Sequence, residues 1–151
     1  MYAYDQRDAT FIGYEAEAKG ILANMTHGDV SLKLFSDYVR GTFSDGDVPR
    51  LPPLRYGAEL GFGNEIWNTA LRYTRNEAQE RAGLNENATS GFHLLTATAD
   101  YQLKMGDTVQ LSLFAKASNL LNEEMRSSVS FLRNYAPEPG RSFVFGLRAT
   151  F

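Results

Sequence analysis

Arg141-Ser-Phe-Val-Phe-Gly-Leu-Arg-Ala-Thr-Phe151 closes the chain, and its alternation decides the fold class. Phe143, Phe145, Leu147, Ala149 and Phe151 fall on one face, with Ser142, Val144, Gly146, Arg148 and Thr150 on the other. That is the period of a strand with one apolar face. The pattern repeats upstream. Val109, Leu111, Leu113, Ala115 and Ala117 oppose Gln110, Ser112, Phe114, Lys116 and Ser118; Leu95, Ala97, Ala99, Tyr101 and Leu103 oppose Thr96, Thr98, Asp100 and Gln102. Trp67, Thr69, Leu71 and Tyr73 alternate likewise, as do Leu54 to Phe62, Val30 to Leu34 and Ile12 to Ala18. The alternation predicts seven strands, at residues 10–23, 28–42, 53–62, 65–76, 90–103, 107–120 and 141–151.

The connections come in two alternating kinds. Asn24–Gly28, Gly63-Asn64 and Lys104–Asp107 are short turns supplied with Gly and Asn, which tolerate positive φ. Residues 43–52, 77–89 and 121–140 are long, charged and carry most of the prolines. Short turns at one end and long loops at the other are the build of an outer-membrane β-barrel. The predicted fold is therefore all-β: an antiparallel, up-and-down, transmembrane β-barrel fragment. Seven strands do not close, since single-chain bacterial barrels have even strand numbers and an edge in lipid leaves backbone groups unsatisfied. The 151 residues are thus expected to be the C-terminal portion of a larger barrel.

Composition sharpens the exclusions. Fifteen Lys and Arg against 18 Asp and Glu leave a net charge of −3, without the basic stripe that nucleic acid demands. The absence of cysteine excludes disulfides, thiol catalysis and thiolate zinc sites. No apolar run approaches the roughly 18 residues of a membrane helix. No phosphate loop, nucleophile elbow or metalloprotease motif occurs, so neither an enzyme nor a cofactor is expected.

Ten Phe, eight Tyr and one Trp make the chain rich in aromatics, at 13%. With long loops at the top, Tyr14, Tyr38, Tyr56 and Tyr73 fall high on the apolar face. Phe62, Trp67, Tyr101 and Phe151 fall low, and Ala, Leu, Val and Ile lie between. Two aromatic girdles around an aliphatic band match a bilayer, where amphipathic rings settle at headgroup depth. The opposite face carries Glu15, Glu17, Lys19, Lys33, Asp37, Arg55, Glu59, Arg72, Asp100, Lys116 and Arg148. A wet or plugged lumen accepts such charges without the desolvation they would otherwise meet. Across the first hairpin, Glu17 opposite Lys33 is the expected register; a slip of two would oppose Lys19 to Lys33 and Glu15 to Asp37.

Asp37-Tyr-Val-Arg-Gly41, Pro49-Arg-Leu-Pro-Pro-Leu-Arg55, Asn119-Leu-Leu-Asn122, Ser130-Phe-Leu132 and Pro139-Gly-Arg-Ser-Phe143 occur in that order. With the terminal Phe151 they resemble the end of TonB-dependent outer-membrane receptors over residues 11–151. The Tyr-Val-Arg-Gly and Ser-Phe-Leu segments look most like the zinc-uptake branch. The resemblance implies a 22-stranded barrel of which these are the last seven strands. It also implies a lumenal plug, and energy from the inner-membrane TonB complex acting on a box before the plug. Plug, TonB box and signal peptide are expected to lie outside these 151 residues. The implied location is the bacterial outer membrane, with short turns in the periplasm. The implied partners are outer-membrane lipid and lipopolysaccharide, the barrel-assembly machinery, the TonB complex through the missing N-terminal part, and a metal or metal-chelate ligand. Phe143, Phe145, Leu147 and Phe151 resemble the C-terminal assembly signal, a strand able to add to an open sheet edge.

Candidate ligands are sparse. His27 in a turn and His93 near the upper girdle belong at opposite ends of the sheet, so no histidine metal cluster is expected. Asp45, Asp47, Glu77, Glu80, Glu86, Glu123, Glu124 and Glu138 offer loop carboxylates to hard cations, although solvated loop charge explains them as well. Arg126, Arg133 and Arg141, near Tyr135, offer charge to an anionic metal chelate or to lipopolysaccharide, and neither is assigned to them. The functional expectation is active uptake of a metal ion or chelate, in the zinc, siderophore-iron or haem class. The alternatives are a passive pore or adhesin barrel, and a soluble β-barrel module binding an apolar ligand.

Overall fold

The computed structural model of the chain describes residues 6–105 and 109–151. Its elements are β1 (Thr10–Met25), β2 (Gly28–Thr42), β3 (Arg55–Gly63), β4 (Trp67–Asn76), β5 (Phe92–Met105), β6 (Val109–Ser118) and β7 (Ser142–Thr150). Each strand pairs antiparallel with the next, in one sheet ordered β1 to β7. The architecture is an up-and-down meander with the form of a barrel-wall segment. β1 and β7 are its two open edges among the described residues. The turn expected at Lys104–Asp107 falls largely outside them. β3 starts at Arg55 rather than residue 53, because Pro53 has no amide to give to a ladder.

Every strand keeps the expected faces. Register carries Leu34, Ala58, Tyr73 and Leu95 across one side, and Lys33, Glu59, Arg72 and Thr96 across the other. On the apolar side Leu34, Leu60, Leu71, Phe145 and Leu147 are all exposed. Met125, in a loop, is the one buried hydrophobic side chain among the described residues. The sheet therefore has no core of its own.

The first hairpin corrects the expected register. Glu17 lies opposite Phe35, and the like-charged pairs Lys19–Lys33 and Glu15–Asp37 do face each other. Two local features decide this. The turn is two residues, Thr26 and His27, between Met25 and Gly28, and a bulge between Ile21 and Ala23 adds one residue to β1. Gly28 has φ 147°, and a Cβ there would lie 2.7 Å from the Gly63 carbonyl. Diagonal and next-strand partners then answer the repulsion. Lys33 Nζ reaches Glu17 Oε2 at 2.7 Å and Arg55 Nε reaches Asp37 at 2.9 Å.

The polar side also holds a device that alternation alone did not reveal. Phe11 lies directly opposite Gly41, Phe35 opposite Gly57 and Phe114 opposite Gly146. In each pair the ring covers the glycine: a Cβ would come within 2.6 Å of Phe11 at Gly41 and 2.7 Å of Phe35 at Gly57, and would collide with Phe114 at Gly146. The ring shields bare backbone and pins the register. Arg72 stacks over the Phe35 ring at 4.1 Å, so the pair also carries a cation.

Candidate functional site

The long connections converge at one end of the sheet. The first (residues 43–54), second (residues 77–91) and third (residues 119–141) are knitted around Arg50 and Leu51. The Leu51 carbonyl accepts from Gln79 Nε2 at 2.9 Å and from Ser128 Oγ at 3.1 Å, joining all three loops at one oxygen. The Arg50 amide, at φ 59°, donates to Glu86 Oε2 at 3.0 Å, and its guanidinium lies 3.5 Å over the Phe131 ring. Gly83 packs directly against Pro49.

Glu86 is the electrostatic centre of this knot and departs from the solvated reading of the loop carboxylates, which Asp45 and Glu124, each 66% exposed, keep. Its side chain is 7% exposed, and Oε1 lies 2.6 Å from Nη2 of Arg133, itself 8% exposed. Burial alone would raise the Glu86 carboxyl; the Arg50 amide and the Arg133 guanidinium outweigh it and hold the group below its ordinary value. Arg133 also donates to the Ser128 carbonyl at 2.5 Å, and Arg126 to the Arg133 carbonyl at 2.6 Å. Arg126 and Arg133 are thus committed to the loops rather than to an anionic ligand.

The Asn119-Leu-Leu-Asn122 segment is a clasp. Asn119 is 1% exposed with φ 51°. Its Oδ1 accepts the Glu123 amide at 3.1 Å, while Nδ2 donates to the carbonyls of Glu123 at 2.9 Å and Pro139 at 3.3 Å. Asn122 Oδ1 accepts the Arg141 amide at 3.0 Å. The two asparagines therefore tie the exit of β6 to the entry of β7. Two of the segments that carry the resemblance, 119–122 and 139–143, are halves of one structural unit.

The aromatic residues form two parallel rows on the apolar side. Tyr14 pairs with Tyr38; Tyr56 is opposite Ser36; Tyr73 is opposite Ala58. The row thus descends four residues across three strand gaps, about 43° from the strand perpendicular at roughly 3.4 Å per residue and 4.8 Å per strand. Phe62 and Trp67 step in the same sense, and Trp67 packs against Tyr101 in a tilted pair with centroids 4.5 Å apart. Phe143, Phe145 and Leu147 share this side, and Phe151 follows β7 almost fully exposed.

The upper row is hydrogen-bonded at its hydroxyls. Tyr38 accepts from Arg81 at 2.6 Å, and Tyr56 donates to Glu77 at 2.9 Å. Arg75 and Tyr56 together hold the Glu77 carboxyl below its ordinary value, Arg75 being the larger cause. His93 sits between Tyr73 (Nδ1, 2.6 Å) and Arg75 (Nε2, 3.1 Å). Since arginine only donates, Nε2 accepts, and Nδ1–H donates to Tyr73. His27 is at the opposite end of the sheet. No group of three or more His, Asp or Glu able to hold a metal ion occurs among the described residues.

On the lumen-type face, a recess of about 580 Å³ opens beneath the third loop, with Arg55, Arg72, Lys116 and Glu138 in its wall. Arg55 and Arg72 are paired with Asp37 and Glu59.

No family model matches the sequence. The fold is similar to that of a solved structure described as "Copper transporter OprC", with a TM-score of 0.78 and 21% identity. The match covers 95% of this chain and 24% of that one, so this chain spans about a quarter of its length.

Proposed function

We propose that this chain is part of the barrel wall of a TonB-dependent outer-membrane receptor for metal uptake, with its apolar side in lipid and its charged side toward the lumen. One observation carries the reading: an open seven-stranded meander exposes a continuous apolar side bounded by two aromatic rows, while Met125 of a loop is the one buried hydrophobic side chain among the described residues. Water does not tolerate a patch of that extent, and a bilayer requires it. The descent of the tyrosine row supports this. Strands of membrane barrels tilt by about 35–45°, and a row inclined about 43° to the strand perpendicular then runs level with the membrane plane.

The similarity to a copper transporter supports a metal as the class of cargo. It gives no support to zinc, haem or siderophore-iron in particular. The remaining strands, a plug and coupling to TonB belong to the same reading. So does the docking of β7, whose backbone edge is open and whose Phe143, Phe145, Leu147 and Phe151 face outward, onto the barrel-assembly machinery.

The test is element-resolved metal accumulation in cells carrying the gene in its genomic setting, alongside membrane fractionation. The protein should sediment with the outer membrane, and deletion should lower accumulation of one metal to the level reached when TonB is removed. Accumulation indifferent to TonB would indicate a passive pore. Recovery of the protein in buffer without detergent would indicate a soluble module.

A further inference from the structure

We propose that an outward depression at the long-loop end of β1 and β2 binds the phosphate of a lipid headgroup. The proposal rests on the lipid-facing reading and goes beyond it by assigning a site. Thr10 lies directly opposite Thr42 and Ile12 opposite Arg40, all four on the apolar side of the sheet. Together they line a depression of about 230 Å³. Two hydroxyls and a guanidinium thus meet one aliphatic side chain immediately above Tyr14 and Tyr38.

The Arg40 guanidinium is half-exposed. The carboxylate near it, Asp47, is 3.8 Å from Nε, too far to hydrogen-bond. A second guanidinium is brought alongside: Arg81 donates to the Tyr38 hydroxyl at 2.6 Å and has no carboxylate within 4.0 Å among the described residues. Both arginines border one notch beside Tyr38. Planar guanidinium forks with hydroxyl donors match a phosphate, and below Tyr14 and Tyr38 the Ala18, Leu34 and Leu32 strip gives an acyl chain somewhere to lie. The arrangement is one-sided. At the short-turn end the same side presents Phe62, Trp67 and Tyr101, without an arginine among the described residues. Arg75, the outward arginine of β4, is already committed to Glu77 and His93.

The test uses the protein folded into phosphatidylcholine vesicles doped with phosphatidic acid or with diacylglycerol of the same acyl chains. Lipid co-purifying with the extracted protein is counted by mass spectrometry, and quenching of Trp67, the one tryptophan among these 151 residues, by brominated acyl chains is read in parallel as the difference from Trp67→Phe. The expected result is retention of phosphatidic acid over diacylglycerol. The preference should fall at least about ten-fold in Arg40→Ala/Arg81→Ala, the change expected from losing one charge-assisted contact. Arg40→Lys, which keeps the charge but not the fork, should fall between. An undiminished preference in the double variant overturns the site, as does displacement of the lipid by inorganic phosphate, which would make the ligand a free anion. Unquenched Trp67 is a separate result, and refutes the lipid-facing reading itself.

Discussion

Glu86→Gln isolates the electrostatic term that holds the loops together. The substitution is nearly isosteric and keeps an oxygen for the Arg50 amide, so the loss is the charge 2.6 Å from Arg133. Breaking a buried ion pair on one side costs about 3–5 kcal/mol, because the surviving charge stays buried without its partner. Retention of the Arg50 hydrogen bond, and the Ser128 carbonyl still held by Arg133, put the expected loss near the lower bound, about 3 kcal/mol. That corresponds to roughly a 140-fold rise in loop opening. Native-state hydrogen exchange on the detergent-folded protein reads it directly. The amides of Gln79 and Thr89, which bond each other's carbonyls at 2.9 and 3.1 Å, should exchange faster by that factor, while Leu60 and Leu71 in the strands keep their protection. Arg133→Met in the same background should recover part of the loss by removing the stranded cation. A change under about threefold, or one shared equally by the strands, would refute the placement of a buried pair at the heart of the loops.

Other expectations follow from the same geometry. The carboxyl of Glu86 is held below its ordinary value of 4.5, so its contribution to loop stability is complete above that value and is lost as pH falls through the lower folded value. Loop protection factors, taken relative to the intrinsic exchange rate at each pH, should therefore fall on acidification below about pH 4.5, and Glu86→Gln should remove that part of the pH dependence. Asn119→Ala removes three hydrogen bonds from a buried side chain and leaves an alanine at φ 51°. Asn119→Gly tolerates that backbone, so it should be less damaging by about 1 kcal/mol in denaturant midpoints. Gly146→Val places a branched side chain into the Phe114 ring and should cost about 1–3 kcal/mol by overpacking. Added Phe114→Ala should relieve part of it, and the absence of relief would deny the ring-over-glycine contact.

Much of the fold was legible because period-two alternation is a backbone property that a sheet cannot evade. Leu34, Leu60, Leu71 and Leu147 share a face whatever covers them. The hairpin register was not legible. Pairwise charge opposed Lys19–Lys33, but a two-residue turn and the extra residue between Ile21 and Ala23 set it, and Glu17 and Arg55 supplied the compensation from outside the pair. Phe35 and Gly57 are unremarkable apart in sequence and become a unit only once the register is known. The loop residues were hardest to read. Glu86 and Arg133 are 47 positions apart in surface-like segments, and nothing local announces that they meet in a buried knot. Asn119 and Asn122 stood out as a motif, whereas their task of holding the Pro139–Arg141 return depends on the path of the whole third loop.

The most direct measurement is site-directed spin labelling of the membrane-inserted protein, with any cysteine outside these 151 cysteine-free residues replaced beforehand. Single labels at Leu34, Leu60, Leu71 and Ala97 should collide with oxygen dissolved in the acyl chains and be protected from a water-soluble nickel relaxant. Labels at Lys33, Glu59, Arg72 and Thr98 should show the reverse, giving alternation with period two along each strand. Equal accessibility on both faces, or nickel access at the leucine positions, would contradict a sheet whose apolar side faces lipid.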